Sequence, residues 1–233
     1  MDKRFLLPGV VRCMTMVSAM GPPAKENTKN MPEHASERIK LPEPKYISVT
    51  SVEEALVKRR SVRVFKEGPV MLAELSQLMW AAQGMTDPRG LRTAPSAGAL
   101  YPLELYAVAG NVSGLPPGLY KYGHERHELL SVAKGDRRND LCNAALGQSS
   151  IRRAALVLVL SGVYERTTAK YGERGIRYVH MEAGHAAQNV YLQAVPLQLG
   201  TVVIGAFKDE EVKRIFKMTD REMPLYIMPV GRR

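Results

Sequence analysis

The sequence has 233 residues, 45% of them hydrophobic and 24% charged, as expected for a globular protein with one substantial domain. Its formal charge of +10 suggests a nucleic-acid binder, but the 33 basic residues are scattered and form no long run. An aromatic content of 6% also argues against a stacking surface for single strands, so we predict no nucleic-acid partner. Three explanations of the positive charge remain: a mildly basic surface without a partner, binding of an anionic cofactor, and non-specific binding of polyanions.

Cysteine and histidine usage limits the compartment and the metal chemistry. Cys13 and Cys142 lie far apart and form no CxxC pair, which fits a reducing compartment and predicts a cytoplasmic protein. His180 and His185 are not at the spacing that places two ligands on one helical face, so we predict no metal site. No apolar run approaches the roughly 20 residues that span a bilayer, and we predict no membrane partner.

The N-terminal part of the chain is predicted to be an extension. Residues 1–44 carry six prolines and little periodicity, which indicates a segment that is partly disordered or draped over a neighbouring surface. Residues 1–24 superficially resemble a secretory signal, but Arg12 and the Pro8–Gly9 pair interrupt the apolar stretch and favour an untranslocated tail. Residues 45–233 are predicted to form the folded domain.

Two helices are predicted at the start of this domain. Ser51 with Glu54 three positions later has the form of a capping box, so a short helix should run toward Arg60. Apolar residues at three- and four-residue spacing predict a second helix over 71–83, which Gly84 should end.

Four strands and two further helices follow. Residues 103–109, 154–163, 201–207 and 224–230 are predicted strands; the second is apolar on both faces, and the glycine inside the third suggests a close approach to its backbone. The longest helical stretch, 178–199, has one side of small residues that could admit a second helix or a flat cofactor, and a short helix covers 209–216. This mixture without a strict βαβ alternation predicts an α+β layered fold with a central mixed sheet flanked by helices.

Four segments could carry chemistry: the run 59–63, the loop Pro95–Gly98, the glycine-containing run 203–207 and the C-terminal residues 229–233, which add two cations. In the extended run 59–63, Arg59, Ser61 and Arg63 should face the same way and could bind a phosphate, although a solvated face has the same pattern. The loop Pro95–Gly98 is small and rigid, as for a wall against a planar ligand or for a simple structural turn. No GxGxxG, P-loop or GxSxG motif occurs, so the usual dinucleotide, nucleotide and serine-hydrolase sites are not predicted.

Eight motifs in a fixed order resemble the nitroreductase superfamily, and specifically its azoline-oxidase branch (SagB-like, or thiazole-oxazole dehydrogenase). They are RRSVR, LMWAAQG, RTAPSAGALYPLELY, GLYKY, KYGERGIRY, EAGHAAQNVYLQA, VIGAF and PVGRR, and the resemblance extends from about Ile39 to Arg233. The resemblance implies an intertwined homodimer with FMN bound in clefts between the subunits.

The resemblance also assigns roles to individual residues. Arg59, Ser61 and Arg63 would contact the FMN phosphate and ribityl chain, with Arg60 nearby and Arg232 or Arg233 completing the phosphate site. The partner subunit's copy of the loop Pro95, Ser96, Ala97 and Gly98 would line the flavin. Backbone N–H groups of Gly205 and Ala206 would point toward flavin N5, where hydride arrives and leaves.

A Lys–Tyr pair is linked to substrate oxidation in azoline oxidases. Lys170 and Tyr171 match it best and are the predicted catalytic residues, while Lys121–Tyr122 is a second candidate.

The predicted function is an FMN-dependent oxidoreductase that cycles hydride through N5, with NAD(P)H-linked reduction or dehydrogenation of a small molecule as the leading hypothesis. Oxidation of azoline rings in a modified peptide, a non-catalytic flavin-binding protein and a nucleic-acid binder are the alternatives.

Overall fold

The structure is a computed structural model that describes residues 37–233. The strands are β1 Arg38–Lys40, β2 Val70–Met71, β3 Leu103–Ala109, β4 Val112–Ser113, β5 Gly118–Gly123, β6 Glu128–Lys134, β7 Leu156–Val163, β8 Leu199–Thr201 and β9 Glu222–Arg232. The helices are α1 Val52–Lys58, α2 Leu72–Gln83, α3 Arg138–Ala144, α4 Ser149–Arg153, α5 Glu165–Tyr171, α6 Arg174–Ala194 and α7 Asp209–Phe216, and a 3-10 turn covers Ala97–Ala99.

Seven of the strands form one sheet. Its order is β1-β6-β5-β3-β7-β9-β8, and neighbouring strands in it run antiparallel. Parallel pairing occurs between β2 and β4 and at the bridge between Ser61 and Thr201.

The two faces of this sheet are covered by different helices. Side chains alternate along a strand, so Leu105 and Leu158 pack in one buried cluster with residues of α2 and α6. Val108 and Val157 point to the opposite face, into a second cluster with residues of α3, α4 and α7. The result is a sheet between two helical layers, and the predicted α+β fold is confirmed.

Most predicted elements lie where the sequence places them. Ser51 caps α1, because its Oγ accepts a hydrogen bond of 3.1 Å from the Glu54 N–H. The helices predicted over 71–83 and 209–216 and the strand over 103–109 match α2, α7 and β3. A helix is present where one was predicted over 178–199, but its bounds differ. α6 begins four residues earlier, at Arg174, and ends five residues earlier, at Ala194.

The strand predicted over 201–207 is wrong. β8 ends at Thr201, which pairs with Val230, and beyond it only the isolated bridge Ile204–Ile227 joins this segment to β9. Pro229 occupies the next position of β9 and has no N–H to donate, so the ladder is interrupted opposite Val202 and resumes in the same register only at the Ile204–Ile227 bridge. Residues 205–207 therefore lie beyond the last backbone pair with β9.

The first described residues already belong to the sheet. β1 pairs with β6, and Leu41 is buried in the same core cluster as α2 and α6. Residues 37–44, which the sequence analysis assigned to the extension, thus contribute to the folded unit in this structure. The predictions for residues 1–36, including the untranslocated tail and Cys13, lie outside the described residues.

Candidate functional site

We call residues 59–63 the phosphate arm, because the predicted phosphate contacts lie there. The arm is held against the end of β8: Ser61 bridges Thr201, and the Val62 N–H donates to the Thr201 carbonyl oxygen at 2.8 Å. Val62 faces the sheet, since a Cβ added to Gly200 would lie 2.7 Å from its side chain. Ser61 and Arg63 are exposed, as the alternation predicted.

Tyr191 of α6 ties the phosphate arm to the segment that follows β8. Its hydroxyl lies 3.1 Å from Ser61 Oγ and accepts a hydrogen bond of 2.9 Å from the Val203 N–H. The Arg59 guanidinium lies over the same ring, 5.4 Å from its centroid. The role of Tyr191 is not predictable from the sequence, because a tyrosine on a long helix gives no sign of which side chain its hydroxyl will contact.

The two C-terminal arginines behave differently. Arg233 reaches the phosphate arm, since its Nη1 donates to the Lys58 carbonyl oxygen at 3.1 Å. Arg232 is engaged elsewhere: both of its Nη atoms lie 2.7 Å from the Glu74 carboxylate, and its Nε donates to the Pro69 carbonyl oxygen. Of the two arginines offered for the phosphate site, the structure favours Arg233.

Arg60 and Arg63, the other two arginines of the arm, differ in how many hydrogen bonds their guanidinium groups already make. Arg60 Nη1 donates to the carbonyl oxygens of Val57 and Arg59, which turns its guanidinium onto the end of α1. Arg63 makes no hydrogen bond or ion pair with the part of the chain that the structure describes. Arg63 is therefore available to an anion, whereas Arg60 is largely occupied.

Gly205 opens into a pocket. Gly205 and Ala206 are exposed, and a Cβ at Gly205 would meet only Tyr226 Cε1, at 4.0 Å. Neither N–H has an acceptor among residues 37–233, which leaves two backbone donors unpaired at exposed residues. The pocket has a volume of about 290 Å³ and is lined by Gly205, Tyr164, His180, Ala183, Phe207, Asp209, Met223, Pro224, Leu225 and Tyr226.

The predicted loop and the predicted catalytic pair meet within one chain. Gly98 has φ 64°, and a Cβ there would lie 2.8 Å from Tyr171 Oη and 3.0 Å from Lys170 Nζ. A side chain at this position would displace the ends of Lys170 and Tyr171, so glycine suits the approach. Ser96 fixes the loop by accepting a hydrogen bond of 2.9 Å from the Tyr101 N–H.

The second candidate pair is held in the sheet. Lys121 Nζ lies 3.0 Å from Glu104 and 3.9 Å from Glu222, and the Tyr122 hydroxyl lies 2.8 Å from His127 Nδ1. These partners satisfy both side chains, so the structure favours Lys170–Tyr171.

α5 connects the two regions. Tyr164, immediately before it, lines the Gly205 pocket, while Lys170 and Tyr171 at its end contact Gly98. Seven helical residues span about 10 Å. The Gly205 pocket and the Pro95–Gly98 loop are thus two ends of one region that follows α5.

A buried carboxyl group lies beneath this region and was not predicted. Glu182 of α6 is 2% exposed, and its Oε1 has no hydrogen-bond partner among the described residues. Burial raises the pKa of Glu182 to about 7, while a hydrogen bond from Ser96 and the charge of Arg92 act in the opposite direction. Its only sequence signal is one acidic residue on the small-residue face of α6.

The described residues contain no group of three or more side chains that could hold a metal ion. His180, one of the two histidines considered as zinc ligands, instead has a hydrogen-bond partner: its Nε2 lies 2.5 Å from the Tyr164 hydroxyl. No helix between residues 37 and 233 has the length and apolar character that crossing a membrane requires.

Comparison with known proteins identifies the family. The nitroreductase family profile matches residues 56–232. The provisionally named nitroreductase MJ1384 of Methanocaldococcus jannaschii is 50% identical over 195 residues, which cover 84% of this chain and 96% of that protein. A Ralstonia eutropha structure, also provisionally named a nitroreductase, superposes with a TM-score of 0.74 at 29% identity, over 85% of this chain and 90% of the other.

The Escherichia coli microcin synthetase McbBCD complex, solved with truncated pro-MccB17 bound, contains a chain that matches with a TM-score of 0.64 at 26% identity, over 94% of this chain and 85% of that one. The microcin B17-processing protein McbC is 27% identical over 164 residues, which are 67% of this chain and 60% of that protein.

The fold and the site therefore define a nitroreductase-type oxidoreductase, and this chain belongs to the nitroreductase family. The resemblance to its azoline-oxidase branch is also confirmed, because McbC and the microcin synthetase chain are among the relatives.

Proposed function

We propose that this chain is an FMN-dependent oxidoreductase that passes hydride through flavin N5, in NAD(P)H-linked reduction or in dehydrogenation of a small molecule. The observation that carries the proposal is the pair of backbone N–H groups at the exposed residues Gly205 and Ala206, beside a pocket of about 290 Å³. Exposed backbone donors just beyond the last pair with β9 suit the edge of a flavin, where the N5 atom accepts a hydrogen bond.

The residues present fit FMN. Arg59, Ser61, Arg63 and Arg233 offer three guanidinium groups and a hydroxyl at one location, a donor set that suits a single phosphate. The chain has no dinucleotide motif to hold a second phosphate, which favours FMN over FAD.

FMN supplies the hydride chemistry when it is bound. The chain's own residues would bind and orient the cofactor. The phosphate arm would hold the phosphate end of FMN, and Tyr191 links that arm to Val203, two residues before Gly205. Movement of the phosphate arm would therefore displace the N5 donors.

The proposal is tested on purified protein. Mass spectrometry of the released cofactor should find FMN, and anaerobic mixing with NADH or NADPH should bleach the flavin absorbance. FAD, or no flavin after reconstitution, would contradict the cofactor assignment. A flavin that no nicotinamide or substrate reduces would leave the non-catalytic flavin-binding protein, and a colourless protein that retains nucleic acid would favour the nucleic-acid binder.

Azoline oxidation in a modified peptide is the second candidate. It is favoured by Lys170 Nζ and Tyr171 Oη, which approach Gly98 together, and by the similarity to the microcin synthetase complex. Incubation with a heterocyclised peptide and dioxygen should then release a product 2 Da lighter, and Lys170→Met should abolish that loss of mass without releasing FMN. An unchanged peptide in the presence of the cyclodehydratase would exclude this activity.

We also propose that the protein works as a homodimer in the cytoplasm. The stretch from Tyr46 to Val64 exposes apolar side chains that a second copy could cover, namely Tyr46, Ile47, Val49, Val52, Leu56, Val57 and Val64. Light scattering of the FMN-bound protein should give about twice the chain mass of 25.8 kDa. A monomer mass with FMN bound would contradict the shared cleft.

A further inference from the structure

A tyrosine–histidine pair that the sequence analysis did not single out lies in the Gly205 pocket. The Tyr164 hydroxyl is 2.5 Å from His180 Nε2, and the two rings meet edge to face with centroids 5.5 Å apart. Tyr164 directly precedes α5 and His180 lies on α6, so the packing of these two helices holds the pair together.

The pair lies in a pocket whose lining combines polar groups with apolar side chains. Phe207, Met223, Leu225 and Tyr226 are among the residues that line it. Asp209 and Tyr226 are the other ionisable residues in the lining. A molecule that enters beside Gly205 therefore meets the Tyr164–His180 pair as a hydrogen-bonding and proton-exchanging group.

The two members differ in their access to water. His180 is exposed, whereas Tyr164 is half-buried. Burial, and then the negative charge of Asp209, raises the pKa of the Tyr164 phenol above its ordinary value. The phenol therefore keeps its proton at neutral pH, and the exposed imidazole connects it to solvent.

We propose that Tyr164 is the proton donor of this pocket and that His180 resupplies it from solvent, an inference that rests on the proposed function. FMN, when bound and reduced, would supply hydride with its electron pair to one end of a conjugated acceptor such as a quinone. The other end would receive the proton of Tyr164 Oη. The O–H bond of Tyr164 breaks as the imidazolium of His180 passes its Nε2 proton to the same oxygen, and His180 regains a proton from water. The acceptor gains one hydride and one proton, and the pair returns to its starting state.

The test compares Tyr164→Phe and His180→Gln with Tyr120→Phe in the full-length protein. Tyr120 is a matched control because its hydroxyl donates to the Pro116 carbonyl oxygen, outside the Gly205 pocket. FMN affinity and reduction by NADH or NADPH are measured first. Reoxidation of the reduced protein by p-benzoquinone is then followed by stopped flow in H2O and D2O.

We expect Tyr164→Phe to bind FMN and to be reduced like the parent, but to be reoxidised about a hundredfold more slowly, the lower range for general acid catalysis. It should also lose the parent's solvent isotope effect. His180 is exposed, so His180→Gln should fold normally and give an intermediate rate, while Tyr120→Phe should resemble the parent. Reoxidation of Tyr164→Phe at the parent rate with an unchanged isotope effect would overturn the proposal.

A measurement on the flavin-free protein separates this inference from the proposed function. The 15N shifts of the His180 ring report the hydrogen bond at Nε2, and we expect that signal to move in Tyr164→Phe. An unmoved signal would overturn the pair itself. A parent protein that binds no flavin would refute the proposed function and the donor role together, whereas a flavoprotein with an unaffected Tyr164→Phe variant would refute the donor role alone.

Discussion

Removal of the Arg59 guanidinium tests the phosphate arm most directly. Arg59 forms no ion pair with any carboxylate of residues 37–233, and its contact with the Tyr191 ring, 5.4 Å to the centroid, leaves its N–H donors free for a phosphate. Arg59→Ala would remove one charge-assisted hydrogen-bonding group, which contributes about 1.5–3 kcal/mol. We therefore expect FMN affinity to fall by about ten- to a hundredfold.

The assay is a titration of FMN into flavin-free protein, followed by the quenching of flavin fluorescence, with NAD(P)H oxidation measured at each FMN concentration. Excess FMN should restore most of the activity of Arg59→Ala, because only cofactor affinity is lost. Arg89→Ala is the matched control, since Arg89 is 77% exposed and pairs with Asp87 on a surface turn. If Arg59→Ala binds FMN as tightly as the parent, the phosphate assignment of this segment is wrong.

Three further substitutions separate cofactor geometry from stability. Gly205→Val should fold normally, because the nearest atom to a Cβ there is 4.0 Å away, yet added FMN should not restore its NAD(P)H oxidation; recovery at high FMN would contradict a ring contact at Gly205. Arg232→Ala should lower the free energy of unfolding by about 1.5–3 kcal/mol with little change in FMN affinity, because it leaves Glu74 unpaired; the reverse outcome in urea titrations would return Arg232 to the phosphate site. Glu182 has its pKa raised from 4.5 to about 7, so its contribution to stability is present at low pH and is lost as the pH rises toward 7. Glu182→Gln should therefore be more stable than the parent at pH 8, by on the order of 3 kcal/mol, and equal stability in chemical denaturation at pH 8 would refute the burial argument.

The sequence allowed the periodic elements to be predicted, because their signals are local. The spacing of apolar residues in 71–83 and the serine cap at Ser51 each depend on neighbours within one or two turns, and the structure has α2 and α1 there. The strand predicted over 201–207 was wrong for a non-local reason. Its residues suit a strand, but the partner strand presents Pro229, and that conflict is visible only once the register of β8 and β9 is known.

The residues of the candidate site likewise divide into those that could be predicted from the sequence and those that could not. The arginine-rich motif and the glycine of VIGAF could be predicted from the resemblance, but the partners of individual side chains could not. Arg232 and Arg233 are adjacent and chemically identical, and only tertiary packing places the first on Glu74 and the second beside Lys58. Tyr191 and Glu182 were missed because each acquires its role from a residue far away in sequence.

The connections of the phosphate arm have a consequence for the order in which the protein assembles. Ser61 and Tyr191 are 130 residues apart, and Arg233 and Lys58 are 175 residues apart. During synthesis the arm leaves the ribosome long before its supports, so it must wait for nearly the whole polypeptide before it can be held in place. Closing such long loops is entropically costly, and a ligand that bridges the two ends selectively stabilises the closed form. FMN would then link the beginning and the end of the domain late in folding. The cellular supply of the cofactor would therefore influence how much of the newly made chain reaches its final fold.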